Sequence, residues 1–515
     1  MYSKIYSGVA LGIDGMLITV ESDVSMGLPG LSLVGYLSSS VKEAAERVRT
    51  ALRNSGYSIP SRKVTVNLSP GDVRKDGTGF DIAIAASILI SMGSFIFSEE
   101  FNNELEETLF LGELGLDGTI LETSGVLPIV DAAARSGIKR VVLPSGNCYE
   151  ASFIKDVDII PVRNLTDIIS IFQLCNWGDV FRTTIRPCIS SNAFAYDLGD
   201  IRGQEVMKRG IIIAVSGFHN IILTGAAGSG KSMIAKCIPE LMPALSYEES
   251  LELTKIYSVA GALDMKDGLM TRRPFRSPGQ NVTEAALLGG GLQPKPGEVS
   301  LANSGVLFMD EFPEFQRNVI EALRQPMEDK EITVTRVRSS YTFPARFMLV
   351  SARNNCPCGF FPDRKKCRCS ASEIYHYQNR ISHPIMDRID IRLEVKPVRF
   401  EQLFSNEKGM DSRTAKEKIE GAIEIQKNRY SNEDFCFNSE IPQSKIEDYI
   451  RLGDREKRLL KDIFEDTEIS ARGYFKLLRL ARTIADIEGR EDISTQDIEE
   501  AAFFRNENSS SEDWR

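Results

Sequence analysis

This sequence predicts a multidomain α/β protein, and three observations carry the prediction. A glycine-rich stretch set among apolar residues, IILTGAAGSGKS (Ile221–Ser232), fits a phosphate-binding loop with a strand before it and a helix after it. A second apolar run, GVLFMDE (Gly305–Glu311), ends in two acids at the carboxyl end of an expected strand. On either side of this region the pattern changes, with mixed strands and helices before Cys175 and almost wholly helical periodicity from Arg399 to Arg505. The 515 residues suffice for roughly three domains at about 150 residues each.

Residues 1–175 read as a compact α+β domain. Gly12–Val20, Leu31–Gly35, Lys63–Leu68, Thr108–Gly112 and Arg140–Leu143 are its expected strands. Val41–Ser55, Gly79–Ile90, Ile129–Ser136 and Leu165–Cys175 are its expected helices. Residues 176–192 are polar and irregular, as in a linker. Residues 193–400 form the α/β core with a parallel sheet. Ile211–Val215 and Asn220–Leu223 read there as strand or helix-to-strand material, Met233–Ile238 as the following helix, and Phe347–Ser351 as a third strand. Residues 401–505 form a helical unit with helices expected at Arg413–Arg429, Lys445–Leu452, Asp454–Phe464 and Ser470–Ile487, the first capped by Ser412. The polar, acidic tail 506–515 is expected to be disordered. No apolar run nears the ~20 residues of a membrane helix, and the N-terminus lacks a sustained apolar segment, so the chain is expected in the cytoplasm. The net charge of −10 excludes a uniformly basic nucleic-acid coat but leaves room for a local basic channel.

The chemistry centres on Gly225-x4-Gly230-Lys231-Ser232. In such a loop the backbone N–H groups of Gly225, Ala226, Ala227, Gly228, Ser229 and Gly230 turn inward around phosphate oxygens, and the next helix adds the positive end of its dipole. Lys231 would reach the β- and γ-phosphates of ATP, and Ser232 would ligate Mg²⁺. A bland glycine-rich turn leaves the Lys and Ser unexplained. Asp310 would hold the Mg²⁺ hydration shell, and Glu311 would orient or deprotonate the attacking water. A strand ending in two surface acids is as common when taken alone; its pairing with Lys231 and Ser232 favours an ATPase. Asn354, just past the third strand, suits contact with the γ-phosphate or the water, although Asn is also a turn-former. Arg388, between acids in IMDRID, suits an arginine finger supplied to a neighbouring subunit. A surface salt bridge is its alternative, and periodicity does not separate the two. Arg472 opens a long amphipathic helix, a place from which a lid would reach the nucleotide.

With these residues in place, the chain resembles the ComM/YifB family of magnesium-chelatase-like AAA+ ATPases from about Tyr6 to Arg505. The stretches that carry the resemblance are DLGDIRGQ (Asp197–Gln204), GAAGSGKS, RRPFRSPG (Arg272–Gly279), the region Leu287–Glu311, LRQPMED (Leu323–Asp329), CPCG and CRC, MDRIDI (Met386–Ile391) and SARGYFKLLRLARTIAD (Ser470–Asp486). The resemblance implies an N-terminal α+β Lon-protease/S5-like domain, a P-loop AAA+ core and a C-terminal helical magnesium-chelatase-type lid. It also implies a sensor Asn at Asn354, a finger Arg at Arg388, a lid sensor Arg at Arg472, and assembly as a hexameric ring. The sequence departs from the family in three places. The family's GPPGSGKT is GAAGSGKS here, its Pro after the sensor Asn is Asn355, and its SPHH is Ser277-Pro278-Gly279-Gln280. The phosphate-contacting and hydrolytic positions are kept. Where a Lon-type protease carries its nucleophilic Ser, the chain reads Gly79–Ile84, and the position of its Lys falls at Leu127-Pro128. Without a Ser–Lys pair nucleophilic activation has no basis, so the domain is expected to be non-proteolytic.

Four of the nine cysteines cluster as Cys356-x-Cys358 and Cys367-x-Cys369, eight residues apart. Four thiolates at this spacing favour tetrahedral Zn²⁺, with free or redox-active thiols as the alternative. Glu331–Val337 and Tyr341–Phe347 read as a hairpin whose arginines, Arg336, Arg338 and Arg346, suit phosphate contacts in a ring's pore. Arg272, Arg273 and Arg276 offer a second basic element, and a solvated loop is the plain alternative for both. Together these features predict a ring-shaped, ATP-driven motor on single-stranded or branched DNA, which the resemblance associates with recombination and natural transformation. A chelatase-like remodeller of a partner protein is the alternative. An arginine-bearing pore hairpin, rather than an aromatic one, favours DNA.

Overall fold

The computed structural model describes residues 2–181, 195–263, 268–291, 294–336, 339–396, 409–467 and 469–506. The chain forms two units. The first comprises Met1–Cys188 with Tyr247–Met270 and Thr335–Thr342; the second comprises Ile189–Ser246, Thr271–Val334 and Phe343–Arg515.

The first unit is built on a seven-stranded sheet in the order Gly30–Val34, Lys63–Ser69, Asp14–Ser25, Tyr2–Leu11, Thr108–Phe110, Arg140–Pro144, Asp158–Val162. Tyr2–Leu11 and Asp14–Ser25 make an antiparallel hairpin, and Thr108–Phe110 starts a run of parallel pairs on its far side. The hairpin's first strand gave no clear alternation in the sequence because its buried face, Ser3, Ile5, Ser7 and Val9, mixes serines with apolar residues. The helix Asp81–Ser91 is buried along nearly its whole surface, which fits its apolar run. Asp81, in the stretch where a protease would carry its nucleophile, is fully buried and takes a two-pronged contact from Arg47 at 2.7 and 3.0 Å. Leu127 is packed in the core of the same unit.

Two boundaries differ from the sequence reading. Trp177, placed in the linker, stacks on Phe101 at 4.9 Å and donates to Glu104 at 2.7 Å, so the first unit continues through it. The helix Tyr247–Ala260 lies inside the expected core sequence yet belongs to the first unit. Its Lys255 pairs with Asp131 at 2.5 Å, Ser258 donates to Glu150 at 2.5 Å, and Tyr247 donates to the Phe153 carbonyl at 2.6 Å. The rest of the expected linker (182–192) and the tail from 507 lie outside the described residues.

The second unit holds a five-stranded parallel sheet in the order Phe275–Arg276, Val306–Met309, Met348–Arg353, Ile221–Gly225, Ile391–Val395. Of the two alternatives, the structure takes helix-to-strand: Ile211–Val215 belongs to the helix Glu205–Gly217, whose second half is buried on every side, and the strand Ile221–Gly225 follows. That helix shares one hydrophobic core with the C-terminal helices Ser412–Arg429, Ala471–Ile487 and Thr495–Arg505. The cap of the first of these is Asp411, which accepts from Thr414 N–H at 2.9 Å; Ser412 instead accepts from Leu198 N–H at 2.7 Å. The expected helix Lys445–Leu452 is reduced to Ile446–Tyr449 after a 3₁₀ turn, because Pro442 and Gly453 bracket a short segment.

Candidate nucleotide site and cysteine knuckle

The phosphate loop follows the strand Ile221–Gly225 and leads into the helix Lys231–Leu241. Gly228 and Gly230 have φ of +76° and +91°, in the left-handed region that favours glycine. Gly225 is required for space, since a Cβ there would lie 2.3 Å from the Val395 carbonyl oxygen on the neighbouring strand. Lys231 Nζ donates to the carbonyls of Gly225 (2.9 Å) and Ala226 (2.8 Å) and to Asn354 Oδ1 (3.1 Å). Burial lowers the Lys231 pKa, while Asp310 and Glu311 pull it back. Ser232 Oγ donates to Asp310 Oδ2 at 2.8 Å, and Asp310 Oδ1 accepts from the Glu311 N–H at 2.9 Å. These oxygens are the hard donors Mg²⁺ takes, and Ser229 Oγ lies buried in the loop with no partner. The chemistry of the loop, its helix dipole and its Ser232–Asp310 pair thus fits a magnesium nucleotide.

Gln280 is a site residue that sequence reasoning missed. Its side-chain amide donates to Glu311, whose backbone sits at φ +51°. The signal was present in the departure Ser277-Pro278-Gly279-Gln280, but nothing in the sequence linked that loop to Glu311.

Arg388 and Arg472 stand elsewhere. Asn220 precedes the loop's strand; its N–H donates to Asp390 at 2.9 Å, and its side-chain amide donates to the Arg388 carbonyl at 3.4 Å. Arg388 is therefore at the amino-terminal edge of the sheet, whereas the phosphate loop is at the carboxyl edge. Five residues of strand separate the two edges by about 15 Å. Arg388 Nη2 pairs with Glu328 at 2.8 Å, and Arg472 approaches the same carboxylate at 3.6 Å. Both line a cavity of about 560 Å³ with Glu328, Lys330, Lys476 and Arg479. Arg472 thus lies with Arg388 and not over the phosphate loop of its own chain.

The four cysteine sulfurs all lie within 4.8 Å of one another. Cys356 Sγ is 3.3 Å from Cys358 and 3.7 Å from Cys367, and Cys358 is 3.6 Å from Cys367. Zn–S bonds of about 2.3 Å require tetrahedral edges near 3.8 Å, so this donor set fits a thiolate-bound metal. The Phe361 N–H donates to Cys356 Sγ at 3.3 Å, an outer contact of the kind that steadies such ligands. The Phe360 backbone N–H lowers the Cys358 thiol to about 6, while burial raises Cys367 and the neighbouring sulfurs push Cys369 up to about 12, so the metal fit rests on the convergence of the four sulfurs.

The basic residues divide. Arg346 is not a surface phosphate contact: it makes two hydrogen bonds to Glu440 (2.8 and 2.7 Å) and stacks against Phe437 at 5.3 Å. Arg273 donates to the carbonyls of Pro243 and Ser304, and Arg276 makes a two-pronged pair with Glu298 at 2.7 and 2.8 Å. Arg272 is exposed. Glu331–Arg336 and Ser339–Pro344 do form a two-stranded ribbon; Arg338 and the side chain of Arg336 lie outside the described residues.

Comparison with known proteins follows the same layout. Residues 197–403 match the family described as magnesium chelatase, subunit ChlI; residues 20–147 match subunit ChlI of Mg-chelatase; residues 409–505 match the ChlI C-terminal family. The chain is 36% identical to the uncharacterized protein YifB of Escherichia coli (strain K12) over 507 residues, 98% of this chain and 97% of that protein. It is 35% identical to the competence protein ComM of Haemophilus influenzae over 510 residues, 97% of each. A Lon protease of Salinispora arenicola is 27% identical over 191 residues, 36% of this chain and 23% of the protease. Among the described residues no helix is long and apolar enough to cross a membrane. The chain belongs to the ComM/YifB family of magnesium-chelatase-like AAA+ ATPases.

Proposed function

We propose that this protein is a ring-forming, ATP-driven motor that moves DNA, most simply a hexamer. The placement of Arg388 carries the reading: a finger at the sheet edge opposite the phosphate loop serves only a neighbour's γ-phosphate. Arg472, on the same carboxylate, would act from the same subunit across the same boundary. Within one site, Lys231 binds the β- and γ-phosphates, Ser232 and Asp310 hold Mg²⁺, Asn354 positions the γ-phosphate, and Glu311 takes the proton of the attacking water. Magnesium, when bound, neutralises charge on the phosphates. The cysteine knuckle binds a structural zinc ion.

DNA as the substrate rests on the exposed Arg272, on Arg336 and Arg338 as the sequence alone presents them, and on the full-length similarity to a competence protein. The decisive measurement is ATP turnover with and without single-stranded DNA. Stimulation is expected; indifference to DNA would move the reading to the remodeller of a partner protein. Replacing Arg336 and Arg338 with Ala is expected to weaken DNA binding and lower the salt slope by about two. Unchanged affinity would remove the ribbon from the DNA path.

A further inference from the structure

The cysteine knuckle is built onto the phosphate loop. Asn354, which accepts from Lys231, is two residues before Cys356. Three residues after Cys356, the Gly359 carbonyl accepts the Ala227 N–H of the phosphate loop at 3.0 Å, so this N–H, expected to face the phosphates, is turned to the knuckle instead. Gly359 has φ +79°, and a Cβ there would lie 2.9 Å from the Ala227 Cβ, so only glycine permits this approach. Asn355, between sensor and knuckle, donates to the Phe361 carbonyl at 3.3 Å and accepts from Gln378 at 3.2 Å.

Apolar packing alone does not hold this loop. Its apolar cluster consists of the buried Cys356, Cys367 and Ile374, with Phe361 and Cys369 partly covered. So small a cluster is far below what fixes a loop without a cross-link. The four sulfurs converge instead, and in a metal knuckle the binding free energy of the ion is the folding free energy of the loop.

We infer that the metal in this knuckle sets the nucleotide affinity of the phosphate loop. A zinc-class divalent ion on Cys356, Cys358, Cys367 and Cys369 holds Gly359 against Ala227 and Asn354 against Lys231, and its loss slackens both contacts. The inference rests on the zinc reading above and adds to it that the ion is coupled to ATP binding.

The test uses the full-length protein. Zinc per chain is measured first, and about one ion is expected. A chelator selective for zinc over magnesium then strips it, with Mg²⁺ in excess, while the affinity for a fluorescent ADP analogue is followed. Stripping is expected to weaken that affinity about tenfold, the equivalent of one lost hydrogen bond near the upper end of its usual worth. Added zinc should restore it. Gly359→Ala leaves every ligand in place, so it should keep the ion and still lose nucleotide affinity; Ala227→Gly in the same chain should recover part of the loss. A chain that carries no zinc would overturn both the metal reading and the coupling. A chain that carries zinc, but binds nucleotide equally well after stripping and with Gly359→Ala, would overturn the coupling alone.

Discussion

Arg388 and Glu328 form an ion pair of 2.8 Å at the sheet edge remote from the phosphate loop, with Arg472 at 3.6 Å from the same carboxylate. The Arg388 side chain is only 12% exposed, and the ion pair holds its guanidinium at this edge, away from the phosphate loop of its own chain. Arg388→Ala is expected to leave nucleotide binding intact and lower turnover about 10³-fold. Mixing Arg388→Ala chains with Lys231→Ala chains should recover part of the activity, since some boundaries then pair an intact loop with an intact finger. Turnover that stays at zero in every mixture would argue against sharing between chains.

Lys231 and Glu311 should separate binding from chemistry. Lys231→Ala removes the cation facing the phosphates and is expected to abolish hydrolysis with weaker ATP affinity. Glu311→Gln keeps the shape and loses the base, so ATP should bind and turnover should drop by about 10²–10⁴. Equilibrium nucleotide binding beside steady-state ATPase rates distinguishes the two.

Gln280 holds Glu311 by its side-chain amide. Gln280→Ala is expected to lower kcat about tenfold at unchanged KM, because a misaligned base affects the transition state and not ground-state binding. A change in KM alone would assign Gln280 to nucleotide binding.

Arg346→Ala leaves the Glu440 carboxylate the Cys436 and Phe437 backbone N–H groups, at 3.3 Å each, and takes away its charged partner. Losing hydrogen bonds to a charged, largely enclosed group costs about 1.5–3 kcal/mol, so thermal stability should fall. The salt dependence of DNA binding should not change, in contrast to Arg336 and Arg338.

His219 gives a pH signature. It is fully buried, its Nε2 is 2.8 Å from Thr483 Oγ1, and desolvation lowers its pKa below the ordinary 6.5, outweighing the pull of Asp390. The unfolded chain therefore takes up a proton below pH 6.5 that the folded chain resists, and stability falls as the pH drops through that value. Between pH 7.5 and 5.5 the loss from this residue is up to about 1.4 kcal/mol. Denaturant midpoints at the two pH values should converge in His219→Gln relative to the wild type.

Local chemistry was legible in the sequence and long-range company was not. The spacing Gly225-x4-Gly230-Lys231-Ser232 and the acids after Val306–Met309 are local patterns, and the structure brings Ser232 to Asp310 at 2.8 Å. Ile211–Val215 stayed open between strand and helix-to-strand because a helix segment buried on every side has the same apolar run as a buried strand. Arg346 looked like a free cation because its partner Glu440 is 94 residues away. The contacts of Gln280 and Gly359 were hidden for the same reason, since each is made only when distant loops meet.

The helix Tyr247–Ala260 and the segment Thr335–Thr342 belong to the first unit although their flanking sequence belongs to the second. Neither unit is therefore a contiguous piece of gene. A cut after Cys188 would deprive Asp131 and Glu150 of Lys255 and Ser258, and would leave that lysine without its carboxylate on the other fragment. The first unit is thus completed by a helix that the chain supplies only after it has begun the second.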